Sequence, residues 1–411
     1  MSHVWLQRSA DDLNWLGQLK TVLDLGYLTD HHPWVICHDL EKLGSRATLL
    51  KEAFPPTTLH TSAVKANPLP SILRLLVGQG MGLEVASLGE MELARQVDCP
   101  PENIVFDSPA KTTAELRLAS ELGVTVNSNS ELELTRLGQM SESGRVGLRC
   151  NPIVADTGRA SATMVATKGS KFGVPMDEAA GLLERFDFVS GLHVHIGSQV
   201  ATKDDLVKGA RRMVELAERF PRISWLDIGG GLPTRYRESD PGLSPDDYLE
   251  ELRRAVPEID QYSLVTEIGR ALHANCGWAA SKVEYVADGR AVVHFGADFC
   301  LRECYQTDDW WHDFSVLTPQ GELKEAEILP YDIYGPLCFS GDRMAQDRLL
   351  PRLESGDILV MHDVGAYTFS MWSRYCSRLI PEILGFENGD VQVLRRRETA
   401  GDVVKFWAGI V

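Results

Sequence analysis

A single lysine stands at the end of a short β-type run in residues 59–68. Asn67 and Pro68 follow it, a pair that ends a strand and lets a helix begin. A lysine at the mouth of a buried strand is partly desolvated, and this favours the neutral, nucleophilic amine that forms Schiff bases. A surface charge is the ordinary alternative, so the case for Lys65 depends on what the chain places around it.

Residue types that carry chemistry also stand where other strand-like runs end. The second run ends at Glu84, and the later ones end in the segments 193–199, 227–231 and 267–270. Together with Lys65, five of eight predicted strand ends carry such residues, which core packing alone does not explain. In barrel enzymes the chemistry collects at these strand ends.

Each of these segments has a possible chemical role and an ordinary structural explanation. The glycines Gly229, Gly230 and Gly231 let backbone N–H groups approach a phosphate, although a flexible turn has the same composition. Arg270 can contact that phosphate or a substrate carboxylate, or simply pair with Glu267. Glu267 is a suitable partner for a protonated pyridine nitrogen. An acid at this position keeps the ring cationic and therefore electron-withdrawing.

His193 and His195 lie two residues apart and therefore share one face of a strand. One of them can stack on a flat aromatic cofactor, and a hydrogen-bonded core histidine is the alternative. An amine, an acid for a pyridine nitrogen and a phosphate cradle together point to pyridoxal phosphate.

The elements that position these residues alternate regularly. Helical spacing in 69–79 and 203–219 lies between apolar β-type runs, and eight such runs over about 230 residues predict a (β/α)8 barrel, with an open doubly wound sheet as the alternative. The eight runs lie near residues 60–65, 83–86, 103–106, 124–127, 145–150, 190–195, 223–228 and 263–267.

The pattern changes after Ala271. Strand-like runs with Gly, Pro and Asp loops predict a mainly antiparallel β domain, with strands near 282–286, 291–295, 357–361, 391–396 and 403–408. We therefore expect a barrel over residues 34–270, and a β-rich domain made of 1–33 and 271–411.

Composition limits the function classes. The chain has 411 residues and a net charge of −17, which argues against nucleic acid or an anionic membrane as partner. Without an apolar run of membrane-spanning length or a signal-peptide core, we expect a cytoplasmic protein. Its eight cysteines lack metal-ligand spacing, so we expect reduced thiols and no metal site.

Several motifs in sequence order resemble one family, the fold-type III pyridoxal-phosphate-dependent decarboxylases of the diaminopimelate and ornithine decarboxylase group. The resemblance runs from about residue 35 to 380. Its motifs are 63–67, 151–152 with 170–173, 195–199, 229–231, 267–270, 335–338 with 340–342, and 365–367.

The resemblance implies roles for individual residues. Lys65 matches the lysine that holds the cofactor, His195 the ring-stacking histidine and Glu267 the acid at the pyridine nitrogen. Cys338 matches a cysteine that comes from the other subunit of a homodimer and helps to protonate the substrate carbon. The remaining implied cofactor contacts are Glu84, Ser198, Gly229, Gly230, Gly231, Gly269, Arg270 and Tyr367.

Substrate contacts are expected at Arg270, Cys338, Phe339, Asp342 and Tyr367. The position after the cysteine is usually acidic in the family's diamino-acid decarboxylases, but Phe339 stands there. Ile268 replaces a common proline, and the loop 155–163 departs from the diaminopimelate pattern.

These departures favour α-decarboxylation of a modified or conjugated diamino acid in a specialised, for example siderophore, pathway. Meso-diaminopimelate decarboxylation in lysine biosynthesis is the alternative. An amino-acid racemase on the same fold, a catalytically inactive regulatory homologue and a metal-dependent hydrolase using His193 and His195 are further rivals. Glu267 argues against the racemase, which usually has an arginine near the pyridine nitrogen.

Overall fold

The chain forms two compact units in a computed structural model that describes residues 2–140, 144–154, 163–199, 202–306 and 310–410. The first unit comprises Met1–Leu6, Gly44–Thr234 and Pro241–Leu272, and the second comprises Gln7–Leu43, Arg235–Asp240 and His273–Val411. The sequence departure at 155–163 lies, apart from Thr163, outside the described residues.

The first unit is a closed barrel of eight parallel strands. Each strand pairs with its neighbours along the chain, and Ser263–Ile268 closes the barrel on Leu59–Ala63. The predicted (β/α)8 architecture is confirmed, and the open sheet is excluded. In chain order the strands are Leu59–Ala63, Gly82–Val85, Ile104–Asp107, Thr125–Ser128, Val146–Asn151, Gly191–His193, Trp225–Asp227 and Ser263–Ile268.

Helices follow the barrel strands as the apolar spacing predicts. Lys203–Ala217 buries Leu206, Ala210, Met213 and Ala217 on one face. Among the described residues no helix is long and apolar enough to cross a membrane. The α-helices are Ser2–Leu6, Asn14–Asp24, Leu40–Ala53, Pro70–Gly78, Leu88–Gln96, Thr113–Leu122, Glu131–Leu137, Met176–Arg185, Lys203–Ala217, Pro245–Ala255, Arg270–His273, Leu301–Tyr305 and Ala400–Ala408.

The second unit is built on a mixed, mainly antiparallel sheet, as expected. Its parallel pairs are Trp34–Asp39 with Ile383–Glu387 and Arg290–Val293 with Ile328–Tyr334. The strands are Trp34–Asp39, Gly277–Ala287, Arg290–Val293, Phe314–Leu317, Ile328–Tyr334, Arg343–Pro351, Ile358–His362, Ile383–Glu387 and Asp390–Arg395.

Two expectations about this unit need correction. The sequence pattern places Trp34–Asp39 with the barrel, but this strand pairs with Gly277–Ala287 in the second sheet. A buried apolar run looks the same whichever sheet it joins, because long-range pairing decides its partners. The predicted strand 403–408 is wrong, because Ala400–Ala408 is a helix that begins at a Thr399–Asp402 capping box and ends at left-handed Gly409.

A tryptophan ring fills the barrel interior where two neighbouring strands carry glycine. Trp225 is buried with Val105 and Val265, and a Cβ added at Gly191 would lie 2.1 Å from its ring. A Cβ at Gly147 would lie 2.6 Å from the same ring. Because the ring is fixed inside a closed sheet, neither position has room for a side chain.

We expect Gly191→Ala to lower the free energy of unfolding by about 1–3 kcal/mol through overpacking against Trp225. Urea unfolding followed by circular dichroism measures this loss. The control is Gly181→Ala on the helix Met176–Arg185, where an added Cβ meets nothing within 4 Å. That variant should be as stable as the wild type or slightly more stable. Equal stability of Gly191→Ala and the wild type would contradict the packing argument.

Candidate active site

The barrel brings the predicted chemistry-bearing residues of the first unit to the ends of its strands. Lys65 lies in the 3₁₀ turn Val64–Ala66, directly after the first barrel strand. His193 and Asp227 are the last residues of their strands, and Glu84 and Glu267 stand one residue before the end of theirs. This is the edge at which barrel enzymes carry out their chemistry.

Lys65 contacts a buried carboxylate. Its Nζ donates to both oxygens of Glu84 and lies 2.5 Å from Oε1. The Glu84 side chain is fully buried, whereas the Lys65 side chain is 42% exposed. Burial raises the pKa of Glu84 to about 8, although the Lys65 charge opposes the rise. Glu84 can therefore hold a proton near neutral pH, next to the amine.

Glu267 sits between the two histidines. Its Oε2 lies 3.5 Å from His193 Nε2 and 3.8 Å from His195 Nδ1. Burial opposes ionisation, but His193, Lys65 and His195 together outweigh it, so the pKa of Glu267 is lowered and the carboxylate stays charged. Its buried Oε1 has no hydrogen-bond partner among the described residues.

The two histidines differ in charge: the surroundings favour a protonated His193 and a neutral His195. Burial would lower the pKa of His193, but the carboxylates of Glu267, Asp227 and Asp107 together raise it to about 9. Burial, with help from Arg149, lowers the pKa of His195 to about 3. The Gly230 N–H donates to His195 Nδ1 at 3.2 Å, which fits a neutral ring.

The glycine run after Asp227 forms a tight backbone cradle. Gly229 and Gly231 have φ values of +64° and +104°, a region that favours glycine. A Cβ at Gly230 would lie 2.3 Å from the Glu267 carbonyl oxygen. Arg270 is buried and its Nε donates to Ser198 Oγ at 3.0 Å, so these two expected phosphate contacts lie together.

A polar layer that we did not predict supports this edge. Arg149 Nη1 donates to Asp107 Oδ2 at 2.6 Å, and Asp107 Oδ1 lies 3.7 Å from His193 Nδ1. Asn127 donates to Asp227 at 2.9 Å. Arg149, Asn127 and Asp107 each belong to a barrel strand, so polar residues inside otherwise apolar runs were the available signal.

The second unit carries the other expected residues. Cys338 is exposed, and its neighbour Phe339 stacks on Tyr305 at 5.7 Å between ring centroids. Tyr367 has a left-handed backbone, and its ring lies 5.2 Å from the Arg302 guanidinium.

Asp342, an expected substrate contact, lies in the loop that carries Cys338 and Phe339. Its buried carboxylate accepts from the backbone N–H groups of Ala297 and Leu337, each at 2.6 Å. Both oxygens are therefore used to hold the loop that carries Cys338 and Phe339.

Comparison with known proteins decides the family. Residues 40–274, more than half of the chain, match the family described as pyridoxal-dependent decarboxylase, pyridoxal binding domain. The chain belongs to this family. It is a pyridoxal-phosphate-dependent amino-acid decarboxylase, as the resemblance implied. The family match favours decarboxylation over the racemase and hydrolase alternatives.

Relatives of this decarboxylase cover nearly its whole length. It is 32% identical over 376 residues to the diaminopimelate decarboxylase of Aquifex aeolicus, covering 86% of this chain and 87% of the relative. For the Pseudomonas aeruginosa enzyme the identity is 33% over 360 residues, covering 83% and 84%. The crystal structure of the Helicobacter pylori enzyme complexed with L-lysine matches with a TM-score of 0.85 at 28% identity, covering 95% and 99%.

The residues at the barrel edge of this decarboxylase fit the cofactor. The buried Oε1 of charged Glu267, for which the described part of the chain provides no hydrogen-bond partner, can accept from a protonated ring nitrogen. The glycine cradle, with Ser198 and Arg270, offers N–H, hydroxyl and guanidinium donors to a phosphate. One side-chain nitrogen or oxygen atom from each of His193, His195 and Glu267 also lies within 4.8 Å of the others.

In the cofactor-free protein we expect stability to fall as the pH rises from 6.5 to about 9. The raised pKa values of His193 and Asp227 mean that the folded state holds protons that the unfolded chain has released. Asp227→Asn removes one titrating group and also lowers the pKa of His193, so the melting temperature should fall less over this range.

Differential scanning fluorimetry at both pH values tests this prediction. Asp246→Asn is the control, because it removes an exposed carboxyl group in the same unit. A decline as steep for Asp227→Asn as for the wild type would contradict the assigned proton uptake.

Proposed function

We propose that this enzyme removes the α-carboxylate of a modified or conjugated diamino acid in a specialised biosynthetic pathway. One observation carries the decarboxylase chemistry: Lys65 stands at the barrel edge with Glu267, close enough that its charge helps to lower the pKa of that buried acid. When bound there, pyridoxal phosphate supplies the electron sink that makes loss of carbon dioxide possible.

The chain's own residues would then divide the work. Lys65 would hold the cofactor through its amine, Glu267 would keep a proton on the ring nitrogen, and neutral His195 would lie against the ring. Ser198, Gly230 and Arg270 would hold the phosphate. Glu84, which can carry a proton near neutral pH, is placed to exchange it with Lys65.

The aromatic surroundings of Phe339 support the choice of substrate. Phe339 packs between Tyr305, stacked at 5.7 Å, and Tyr375, edge-on at 6.0 Å. A ring in this cluster cannot supply the negative charge that the far end of a free diamino acid requires from this position. A substrate whose far end is covalently modified or carries a larger group suits this aromatic cluster better.

Meso-diaminopimelate is the second candidate substrate. The curated relatives that are 32% and 33% identical to this chain are diaminopimelate decarboxylases, and this favours the same substrate here. Free diaminopimelate and its conjugates differ only at the far end, so one assay compares them.

The assay measures release of carbon dioxide from a panel of amino acids in deuterated water. The panel contains L- and D-lysine, ornithine, arginine, meso-diaminopimelate and carboxylate-bearing conjugates of diamino acids. We expect release from the conjugates by the wild type, at least about 100-fold faster than by Lys65→Ala, since that variant lacks the amine that would hold the cofactor.

The outcomes of this assay separate the alternatives. Rapid release of carbon dioxide from meso-diaminopimelate would contradict the proposed conjugated substrate and support meso-diaminopimelate instead. Deuterium at the α-carbon without release of carbon dioxide would contradict decarboxylation of the tested compounds and indicate racemase chemistry. Lys208→Ala, a variant at an exposed position of the helix Lys203–Ala217, serves as a control for general effects of losing a lysine.

We also propose that the enzyme is a homodimer in which Cys338 serves the active site of the other subunit. The family resemblance supports this arrangement, and exposed Cys338 has the accessibility that it requires. The β-rich unit would then complete the partner's site.

Mixing two inactive variants tests the shared site. Lys65→Ala and Cys338→Ala, each weak alone, should regain up to about one quarter of the wild-type activity after subunit exchange, because half of the dimers then contain one intact site. Sedimentation velocity gives the oligomeric state. A dimer whose mixed variants stay inactive would place both residues in the same subunit's site.

A further inference from the structure

His193 has a carboxylate on each side of its ring. Its Nε2 lies 3.5 Å from Oε2 of Glu267, and its Nδ1 lies 3.7 Å from Oδ1 of Asp107. A charged carboxylate can only accept a hydrogen bond, and a neutral imidazole has a single N–H to donate. Only the doubly protonated ring presents an N–H to both acids, so the geometry favours a positively charged His193.

Asp107 is held in its charged state by an arginine. Arg149 Nη1 donates to Asp107 Oδ2 at 2.6 Å, and both side chains are buried. Burial would raise the pKa of Asp107, but Arg149 and His193 together lower it. Arg149 therefore occupies one oxygen of the carboxylate, and the other oxygen faces His193. A row of alternating charge thus runs from Arg149 through Asp107 and His193 to Glu267.

The other ionisable groups next to His193 favour the same state. Asp227 stands opposite His193 on the neighbouring strand, and its carboxyl group contributes to a higher pKa of the histidine. The ring of His195 is centred 6.4 Å away and is neutral, because burial lowers its pKa to about 3. Burial would lower the pKa of His193 as well, but the surrounding acids raise it to about 9. His193 is therefore charged at neutral pH.

The charge of His193 acts on Glu267 in two ways. It lies against Oε2, whereas Oε1 is buried and has no hydrogen-bond partner in the described part of the chain. Burial would raise the pKa of Glu267, and His193 is the largest of the influences that lower it. Without a cation beside it, a buried carboxyl group holds a proton far more readily.

We propose that His193 is a positioning residue that keeps the proton shared by Glu267 and the cofactor's ring nitrogen on the nitrogen. This inference rests on the proposed function, in which Glu267 contacts that nitrogen. The positive charge of His193 makes Glu267 a weak base, and its contact with Oε2 leaves Oε1 to accept from the ring. With a neutral residue at position 193, the proton moves from the nitrogen to the carboxylate oxygen, and the ring withdraws electrons less strongly.

The test reads the protonation of the ring nitrogen directly. The full-length enzyme is loaded with pyridoxal phosphate labelled with nitrogen-15 in its ring, and nitrogen-15 NMR at pH 7.5 distinguishes a protonated from an unprotonated nitrogen. The wild type should show the protonated form. His193→Gln keeps a polar side chain but carries no charge, so its signal should move more than half of the way to the unprotonated form.

His60→Gln is the matched control. His60 is another buried histidine of a barrel strand, and its Nδ1 lies 2.8 Å from Thr266 Oγ1. Burial lowers its pKa to about 4, so its ring is neutral. The same substitution there removes a buried ring but no charge, and the signal of the cofactor nitrogen should equal that of the wild type.

Kinetics give a second measure of the same effect. On whichever amino acid the carbon dioxide assay identifies, kcat of His193→Gln should fall by about 10–100-fold, the range found when a partner that orients a ligand-binding side chain is removed. The KM should change less, because the variant weakens the electron sink and leaves the substrate contacts in place. His60→Gln should keep the wild-type kcat.

A measurement on the wild type covers the case in which His193→Gln does not fold. Enzyme labelled with nitrogen-15 in its histidine rings should show, at pH 8, a doubly protonated ring whose signal shifts when the cofactor is removed. His312 also has a raised pKa, because its hydrogen bond to Glu303 outweighs burial with the help of the nearby acids. In Glu303→Gln that signal should be lost, so the doubly protonated ring that persists is His193.

The outcomes separate this proposal from the function on which it rests. A fully protonated ring nitrogen in His193→Gln would overturn the proposal, and so would an equal change in His60→Gln or the absence of a doubly protonated, cofactor-sensitive histidine at pH 8. An unprotonated ring nitrogen in the wild type would contradict the contact with Glu267 and this proposal with it. Inactivity on every amino acid of the panel, with the expected NMR signals, would count against the proposed function alone.

Discussion

The carboxylates buried at the carboxyl end of the barrel are the constraint on which this site depends. Glu84, Asp107, Asp227 and Glu267 are all buried there, and a buried charge without a partner costs several kcal/mol. Cationic partners are few: Lys65 meets Glu84, Arg149 meets Asp107, and His193 lies between Asp107 and Glu267. The distribution of protons follows from burial together with the cations that each carboxylate meets.

That distribution gives each acid a different capability. Glu267 keeps its charge because His193 is protonated beside it, whereas burial lets Glu84 and Asp227 retain a proton near neutral pH. One acid is therefore ready to receive a cationic ring, and another can exchange a proton with the reactive amine. The same residue type does both tasks because its surroundings differ.

The fold was predictable, and candidate site residues could be proposed, because both leave local signals. Apolar runs of the right length revealed all eight barrel strands, and Lys65, His195 and Glu267 stood out where those runs ended. Asp107, Arg149 and Asn127 were missed because a polar residue within a strand gives no hint of its partner. Residues 403–408 and 34–39 were misassigned for a related reason. A short apolar run does not show whether a capping residue will make it helical, or which distant strand it will pair with. The sequence also could not show that the carboxylate of Asp342 accepts from the N–H groups of Ala297 and Leu337, because only the folded loop brings those groups to it.

The tryptophan inside the barrel has a consequence for the history of the chain. One ring from Trp225 occupies the space of two absent side chains, at Gly147 and Gly191 on two different strands. The side chains at these three positions share one space. A larger residue at either glycine therefore fits only after Trp225 has been replaced by a smaller residue. Evolution can change this part of the barrel only in an ordered sequence of substitutions, and the three positions should covary among relatives.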